Sequence, residues 1–279
     1  MKSSSGRERY DAAGAAEAPP APEPLGVAAI DAHCHLDLMG LPVDEAVAAA
    51  QAVGVARVVT IGIDVPSSEW QVRAASSHPD VFATVAIHPN EAHAADEVAW
   101  ERIAELARLD DVVGIGETGL DHFRTEESGW KQQEESFRRH MVIARESGKA
   151  LVIHDRDAHD DVLRVLESEG APERVVFHCF SGDESFARRC VERGYVLSFA
   201  GNVTFKSAGE LRAAAAVTPL EQMLVETDAP FLTPTPYRGR PNAPYLIPLT
   251  VRALAEVTGA SADEVAAGVT ATAARVFAW

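Results

Sequence analysis

Short apolar runs and helically spaced stripes alternate along this chain from about residue 28 onward. Apolar or β-branched runs occur at 28–36, 56–63, 81–88 and 112–120, and again at 150–156, 174–180, 195–201 and 223–229. Their length and mostly unbroken apolar character predict strands buried on both faces, as in a parallel sheet. Between them, apolar residues recur at helical spacing. In 43–54, Val43, Ala46, Val47 and Ala50 make one stripe and Gly54 ends it. In 183–194, Asp183 is placed to cap the first turn and Gly194 to close the last. Strand and helix alternating eight times predict the α/β class, with right-handed crossovers closing into a (β/α)8 TIM barrel. An open doubly wound sheet would call for a Gly-rich fingerprint after its first strand, and none stands there.

The stretch before this pattern mixes Ser, Gly, Ala, Pro and charges without periodicity. It reads as a disordered N-terminal tail over 1–26, lacking the apolar centre of a secretory signal, with one barrel domain over 27–279. No apolar run approaches the length of a membrane span. Cys34, Cys179 and Cys190 are odd in number and lack CxxC spacing. They argue against a disulfide framework and fit a reducing, cytoplasmic setting, and strand alternation turns Cys34 and Cys179 away from the adjacent histidines. With 25 basic and 42 acidic residues the formal net charge is −17. Such a body does not hold long duplex nucleic acid by spread attraction, so a phosphate-bearing substrate has to be gripped by cations inside a cleft.

The candidate chemistry lies where barrel enzymes keep it, at the C-terminal ends of strands. The run IDAHCHLD (30–37) sets Asp31, His33 and His35 on alternate positions, which in a strand share one face. Later runs end in His88, in Glu117 with Asp121, in His154 with Arg156, in His178, and in Glu226 with Asp228. Burying one unpaired polar side chain costs about 2–7 kcal/mol, so a set of them at one rim calls for a common partner. Four imidazoles and two carboxylates (His33, His35, His154, His178, Glu117 and Asp228) suit a transition-type divalent ion better than an all-oxygen calcium site. Six ligands exceed one tetrahedral ion, which predicts two divalent metal ions (Mg2+, Mn2+ or Zn2+), with Glu117 bridging them. Arg156, Lys206 and Arg238 are the candidate phosphate-binding cations, and His88 and Asn202 can hydrogen-bond substrate or ligands. Phe123, Phe205 and Tyr237 are candidates to stack on bases. His78, His93, His140 and His159 read as surface residues, and His122 stands near the mouth.

The segments DAHCHLD, GETGLD, VIHDRDA, FHCFSG, VTFKSA, ETDAPFL and RGRPNAP occur in the order found in the TatD family of metal-dependent deoxyribonucleases, which this sequence resembles from about residue 27 to the C-terminus. The resemblance places metal ligands at His33, His35, Glu117, His154, His178 and Asp228. It implies hydrolysis of DNA phosphodiesters, trimming single-stranded or frayed 3′ ends with a metal-activated water. Glu117 and Asp228 are then the catalytic candidates, Asp228 as proton acceptor, and His88, Arg156, Lys206 and Arg238 the substrate contacts. Two segments depart from the family pattern: Asn90 replaces the second histidine of its GIHPH segment, and His122 and Phe123 follow GLD where aromatic residues are usual. The rival expectations are the same centre acting on another ester, an amide or a lactone, and a non-catalytic metal-binding protein. No membrane partner is expected, and the chain is expected as a monomer or weak homo-oligomer.

Overall fold

In the computed structural model, which describes residues 17–279, eight parallel strands pair in chain order. They are β1 (Ala29–Cys34), β2 (Val55–Ile61), β3 (Val81–Val85), β4 (Val112–Asp121), β5 (Ala150–Arg156), β6 (Val175–Phe177), β7 (Val196–Phe199) and β8 (Met223–Val225). Helices α1 (Val43–Ala52), α2 (Val65–Ser77), α3 (Glu97–Leu106), α4 (Glu127–Ser147), α5 (His159–Glu169), α6 (Glu184–Glu192) and α7 (Gly209–Val217) fill the seven crossovers. After β8 come α8 (Ile247–Thr258) and α9 (Ala262–Phe277). This is the (β/α)8 barrel that the alternation predicts.

Side-chain alternation splits the apolar residues into two layers. Ile30, Val59, Val113, Val152, Val176, Val196 and Leu224 pack inside the barrel, with Val276 and Phe277 of α9 in the same cluster. Their neighbours on the other strand face, among them Val58, Ala83, Leu151, Phe177 and Leu197, meet the helices. The inner cluster is apolar only toward the N-terminal half of the strands. Beyond it the inward positions turn polar, and there the site begins.

The barrel closes through side chains and loop backbone. The segment just past β8 meets β1 in an isolated bridge, Cys34 to Ala229. Asp228 N donates to the His33 carbonyl at 2.9 Å, and His35 N donates to the Ala229 carbonyl at 2.8 Å. Asp31 completes the seam: its carboxylate accepts from Thr227 N at 2.9 Å, from Thr227 Oγ1 at 2.5 Å and from His33 N at 3.2 Å. The expected convergence of Asp31 with His33 and His35 is therefore corrected. A register shift between Asp31 and Cys34 breaks the alternation, and it leaves Asp31 facing the seam.

Two glycines of β4 bring it against β5. A Cβ at Gly116 would lie 2.5 Å from the Val152 carbonyl oxygen. One at Gly119, where φ is +136°, would lie 2.1 Å from the His154 carbonyl oxygen. Only glycine fits such approaches, and they set Glu117 beside His154.

The tail boundary also needs correction. Residues 1–16 lie outside the described residues, but 17–26, expected as disordered, run along the barrel without regular secondary structure. Arg240 donates to the carbonyls of Glu17 and Ala18, Tyr245 Oη to that of Pro19, and Arg252 to that of Glu23. Leu25 N donates to the Val53 carbonyl at 3.0 Å. An extended Pro-rich segment has no internal hydrogen bonds, so its carbonyls are free to accept from guanidinium and phenol groups. No helix among the described residues is long and apolar enough to cross a membrane.

Candidate metal centre

Several strands stop earlier than their apolar runs. β1 ends at Cys34, β3 at Val85, β6 at Phe177 and β8 at Val225. His35, His88, His178, Glu226 and Asp228 therefore stand on loop backbone just past the ladder, fixed by bonds such as His178 N to the Ile153 carbonyl at 3.0 Å and His88 N to the Ile63 carbonyl at 2.8 Å. Asp228 is held at φ +52° and Cys179 at φ +43°, in the left-handed region that non-glycine residues enter only when surroundings impose it.

The structure brings together the six expected ligands. Glu117 is the hub. Its Oε2 lies 2.7 Å from His178 Nε2 and 3.3 Å from His154 Nδ1, while Oε1 lies 3.7 Å from His35 Nε2 and 3.9 Å from His88 Nε2. Asp228 Oδ1 lies 3.8 Å from His33 Nε2 and 3.7 Å from His35 Nε2. Separations of 3.7–3.9 Å are too long for hydrogen bonds. They leave nitrogens and carboxylate oxygens facing one another across a gap. Ligand atoms of His33, His35 and Glu117 fall within 4.8 Å of one another, as do those of His88, Glu117 and His154. His88, expected as a substrate contact, thus also stands within reach of the ligand set. A further group of this kind joins His33, His178 and Glu226.

His33 supplies the test of fit for a cation. It is fully buried, its ring stacks on that of His178 at 3.8 Å, and neither ring nitrogen has a hydrogen-bond partner. An imidazole buried in this way gains a partner if a cation sits beside it. Burial and the neighbouring His178 hold its pKa well below the ordinary value, so the ring is neutral and can ligate. Burial likewise lowers His88 to about 3. Glu117 is also buried, which alone would raise it, yet the surrounding imidazoles hold it well below the usual carboxylate range.

Carboxylates brace the two histidines on the Oε2 side. Asp121 Oδ2 is 3.3 Å from His154 Nε2, and Glu226 Oε1 is 3.3 Å from His178 Nδ1. Asp121 is in turn fixed by the amides of Phe123 and Arg124 and by Asn90 Nδ2 at 3.1 Å. Asn90, where the sequence departs from the family pattern, is also held by Thr125 Oγ1 at 2.9 Å. Cys179 N donates to Glu226 Oε1 at 2.9 Å.

The centre opens into a cavity of about 540 Å³ lined by His35, His88, Glu117, His154, His178 and Asp228. Arg156 and Asn202 line it too, but Lys206 and Arg238 do not. Lys206 is exposed on the loop after β7, and Arg238 lies 4.1 Å over the Phe205 ring. His122 faces a second cavity, stacked on Trp130 at 3.8 Å. Cys179 lines the main cavity, against the expectation from alternation, because it follows β6 on a left-handed turn. Of the histidines read as surface residues, His78 pairs with Asp44 at 2.6 Å and His159 with Asp155 at 2.7 Å, whereas His140 is fully buried. Arg124, also on the cavity wall, was missed because a lone arginine after GLDHF carries no pattern.

Residues 30–278 match the family model described as TatD related DNase. A Mycobacterium tuberculosis protein named as an uncharacterized metal-dependent hydrolase TatD is 45% identical over 256 residues, covering 89% of this chain and 97% of the relative. A Bacillus subtilis protein named as an uncharacterized metal-dependent hydrolase YabD is 36% identical, covering 88% of this chain and 98% of the relative. Among solved structures, YjjV, a TatD homolog from Escherichia coli, superposes with a TM-score of 0.85 at 26% identity, covering 90% of this chain and 98% of that one.

Proposed function

The chain belongs to the TatD related DNase family, and we propose that it is a metal-dependent hydrolase that cleaves DNA phosphodiester bonds, releasing nucleotides from 3′ ends. The observation that carries this reading is the division of Glu117: one oxygen faces His154 and His178, the other faces His35 and His88. One carboxylate presented to two groups of imidazoles suits a pair of divalent cations. His33, His35 and Asp228 would hold one, and His154 and His178 the other, with Glu117 between them. Bound there, the cations supply Lewis-acid polarisation of a phosphoryl group and acidify a water molecule.

The remaining work falls to the chain itself. Asp228 lines the cavity with a carboxylate 14% exposed, placed to accept the proton of an attacking water and return it to the leaving oxygen. Asp121 and Glu226 keep His154 and His178 turned toward Glu117, which fixes the ring nitrogen each presents. Arg124 and Arg156 on the cavity wall offer planar donors to phosphate oxygens. A neutral amide or lactone would leave both guanidiniums without an anion. The test is incubation of the purified chain with end-labelled single-stranded DNA after chelation, with Mg2+, Mn2+ or Zn2+ added back. Metal-dependent shortening of the strand from its 3′ end is expected. Failure to shorten DNA with any of the three overturns the reading.

A further inference from the structure

Many of the arginines of this acidic protein are held in ion pairs. Arg102, Arg138, Arg139, Arg164, Arg188, Arg189 and Arg193 each hold a carboxylate. Among the described residues, Arg124 and Arg156 pair with no carboxylate, although both line the cavity of a chain with net charge −17. Arg156 has another partner: its guanidinium carbon stands 4.1 Å over the centre of the Phe123 ring. Phe123 is 63% exposed. A single exposed phenylalanine is ordinary. One clamped by an unpaired guanidinium that also reaches the catalytic cavity is not, because the cation fixes one face of the ring and leaves the other open.

We propose that Phe123, Arg156 and Arg124 form a nucleotide subsite beside the metal centre. The open face of Phe123 stacks on an unpaired base flanking the scissile bond, and the two guanidiniums take the adjoining phosphate. The chemistry is that of single-strand recognition, in which aromatic faces carry bases and cations follow the backbone. Such a base has to be unstacked from its own duplex, so the subsite selects single-stranded or frayed ends. It also reconciles an acidic body with an anionic substrate: attraction is local, confined to one lip of the mouth. The inference rests on the DNA-hydrolysis reading and extends it to the unit that is recognised.

The test is a two-by-two cycle on the full metal-loaded chain. Fluorescence anisotropy measures binding of a labelled single-stranded oligonucleotide whose last linkages are phosphorothioates, with either a normal or an abasic residue next to the end. Removing the base is expected to weaken binding by the parent about 10-fold. Phe123→Ala weakens binding of the normal strand by a similar factor and makes the protein indifferent to the missing base, and Phe123→Trp restores the preference. Arg156→Gln should lower the slope of log Kd against log salt by roughly 0.7, the value for one phosphate contact on a single strand. Equal loss on the abasic strand in parent and Phe123→Ala overturns the subsite, as does absence of any effect. Cleavage of the unmodified strand is read separately. Coupling without nucleotide release would keep the subsite and overturn DNA hydrolysis, whereas release without coupling would do the reverse.

Discussion

Replacing His140 with leucine tests whether a neutral buried imidazole ties two walls of the site together. His140, on α4, accepts from Ile87 N through Nε2 at 3.0 Å, and its Nδ1 lies 2.9 Å from the Ser136 carbonyl and 2.8 Å from Thr118 Oγ1. Ile87 precedes His88 and Thr118 follows Glu117, so one ring anchors the ends of β3 and β4. Burial lowers its pKa from 6.5 to about 3, the Ser136 carbonyl offsetting this only in part. At pH 8 the ring is neutral whether the chain is folded or not. The variant then loses only the ring's hydrogen bonds, and the stranded Ile87 amide costs about 1–3 kcal/mol. Below pH 6.5 the unfolded chain takes a proton that the fold refuses, so the parent's stability falls as pH drops from 6.5 toward 3. At pH 5 that loss is about 2 kcal/mol, and the leucine variant does not suffer it. A gap of about 2 kcal/mol at pH 8 should therefore nearly close at pH 5. Urea unfolding of both proteins at the two pH values measures it, since groups common to both cancel in the difference. A gap that stays constant refutes the neutral-ring account, and no gap at pH 8 refutes the tie.

Asp228→Asn should lower kcat/KM on DNA by about 10²–10⁴-fold, the usual range for losing an acid–base group, and His154→Ala should lower it together with metal affinity, by removing a ligand. Neither belongs to the apolar clusters, so far-UV circular dichroism should match the parent; full activity in both would refute the site assignment. Gly119→Ala forces a Cβ to 2.1 Å from the His154 carbonyl oxygen at φ +136° and should destabilise by at least about 3 kcal/mol. A normal urea midpoint would refute the close approach of β4 and β5. Stripping metal with a chelator should lower stability, by about 4 kcal/mol relative to free metal at 1,000 times its Kd. Calorimetry showing the same melting temperature with and without metal would contradict the fit inferred from His33.

What the sequence disclosed was what buried backbone and buried charge make unavoidable. The strands were legible because each is enclosed on two faces and reads as an unbroken apolar run. The six candidate ligands were legible because a set of polar side chains buried at strand ends calls for a common partner. What escaped depends on backbone events that leave no residue pattern. The register shift in β1 turns Asp31 to the seam, and the left-handed turn at Cys179 puts on the cavity wall a residue that alternation turned away from the histidines. His140 sits on a helix of mostly polar composition, so nothing in its neighbours marks the face that meets β3 and β4. Residues 17–26 looked like a free tail because their partners, Arg240, Tyr245 and Arg252, lie more than two hundred positions away.

Closure of the barrel and assembly of the candidate centre are the same event in this chain. Elsewhere the strands are joined by ladders of carbonyls and amides, which any apolar sequence can supply. Between β8 and β1 the joining groups are the His33 carbonyl, the His35 and Asp228 amides, and the Asp31 carboxylate on Thr227. Three of these belong to the candidate ligands His33, His35 and Asp228, and Asp31 grips Thr227, the residue before Asp228. The clamp is costly as a stabiliser: burial raises the Asp31 carboxyl to about 7, against the pull of its hydrogen bonds from Thr227 and His33. Its value lies in register. A strand that slips by one residue turns each side chain to the opposite face. Slippage at this seam would carry the Asp228 carboxylate away from His33 and His35 while leaving the apolar layers below able to pack. A polar seam that accepts only one alignment prevents a barrel from closing without its site.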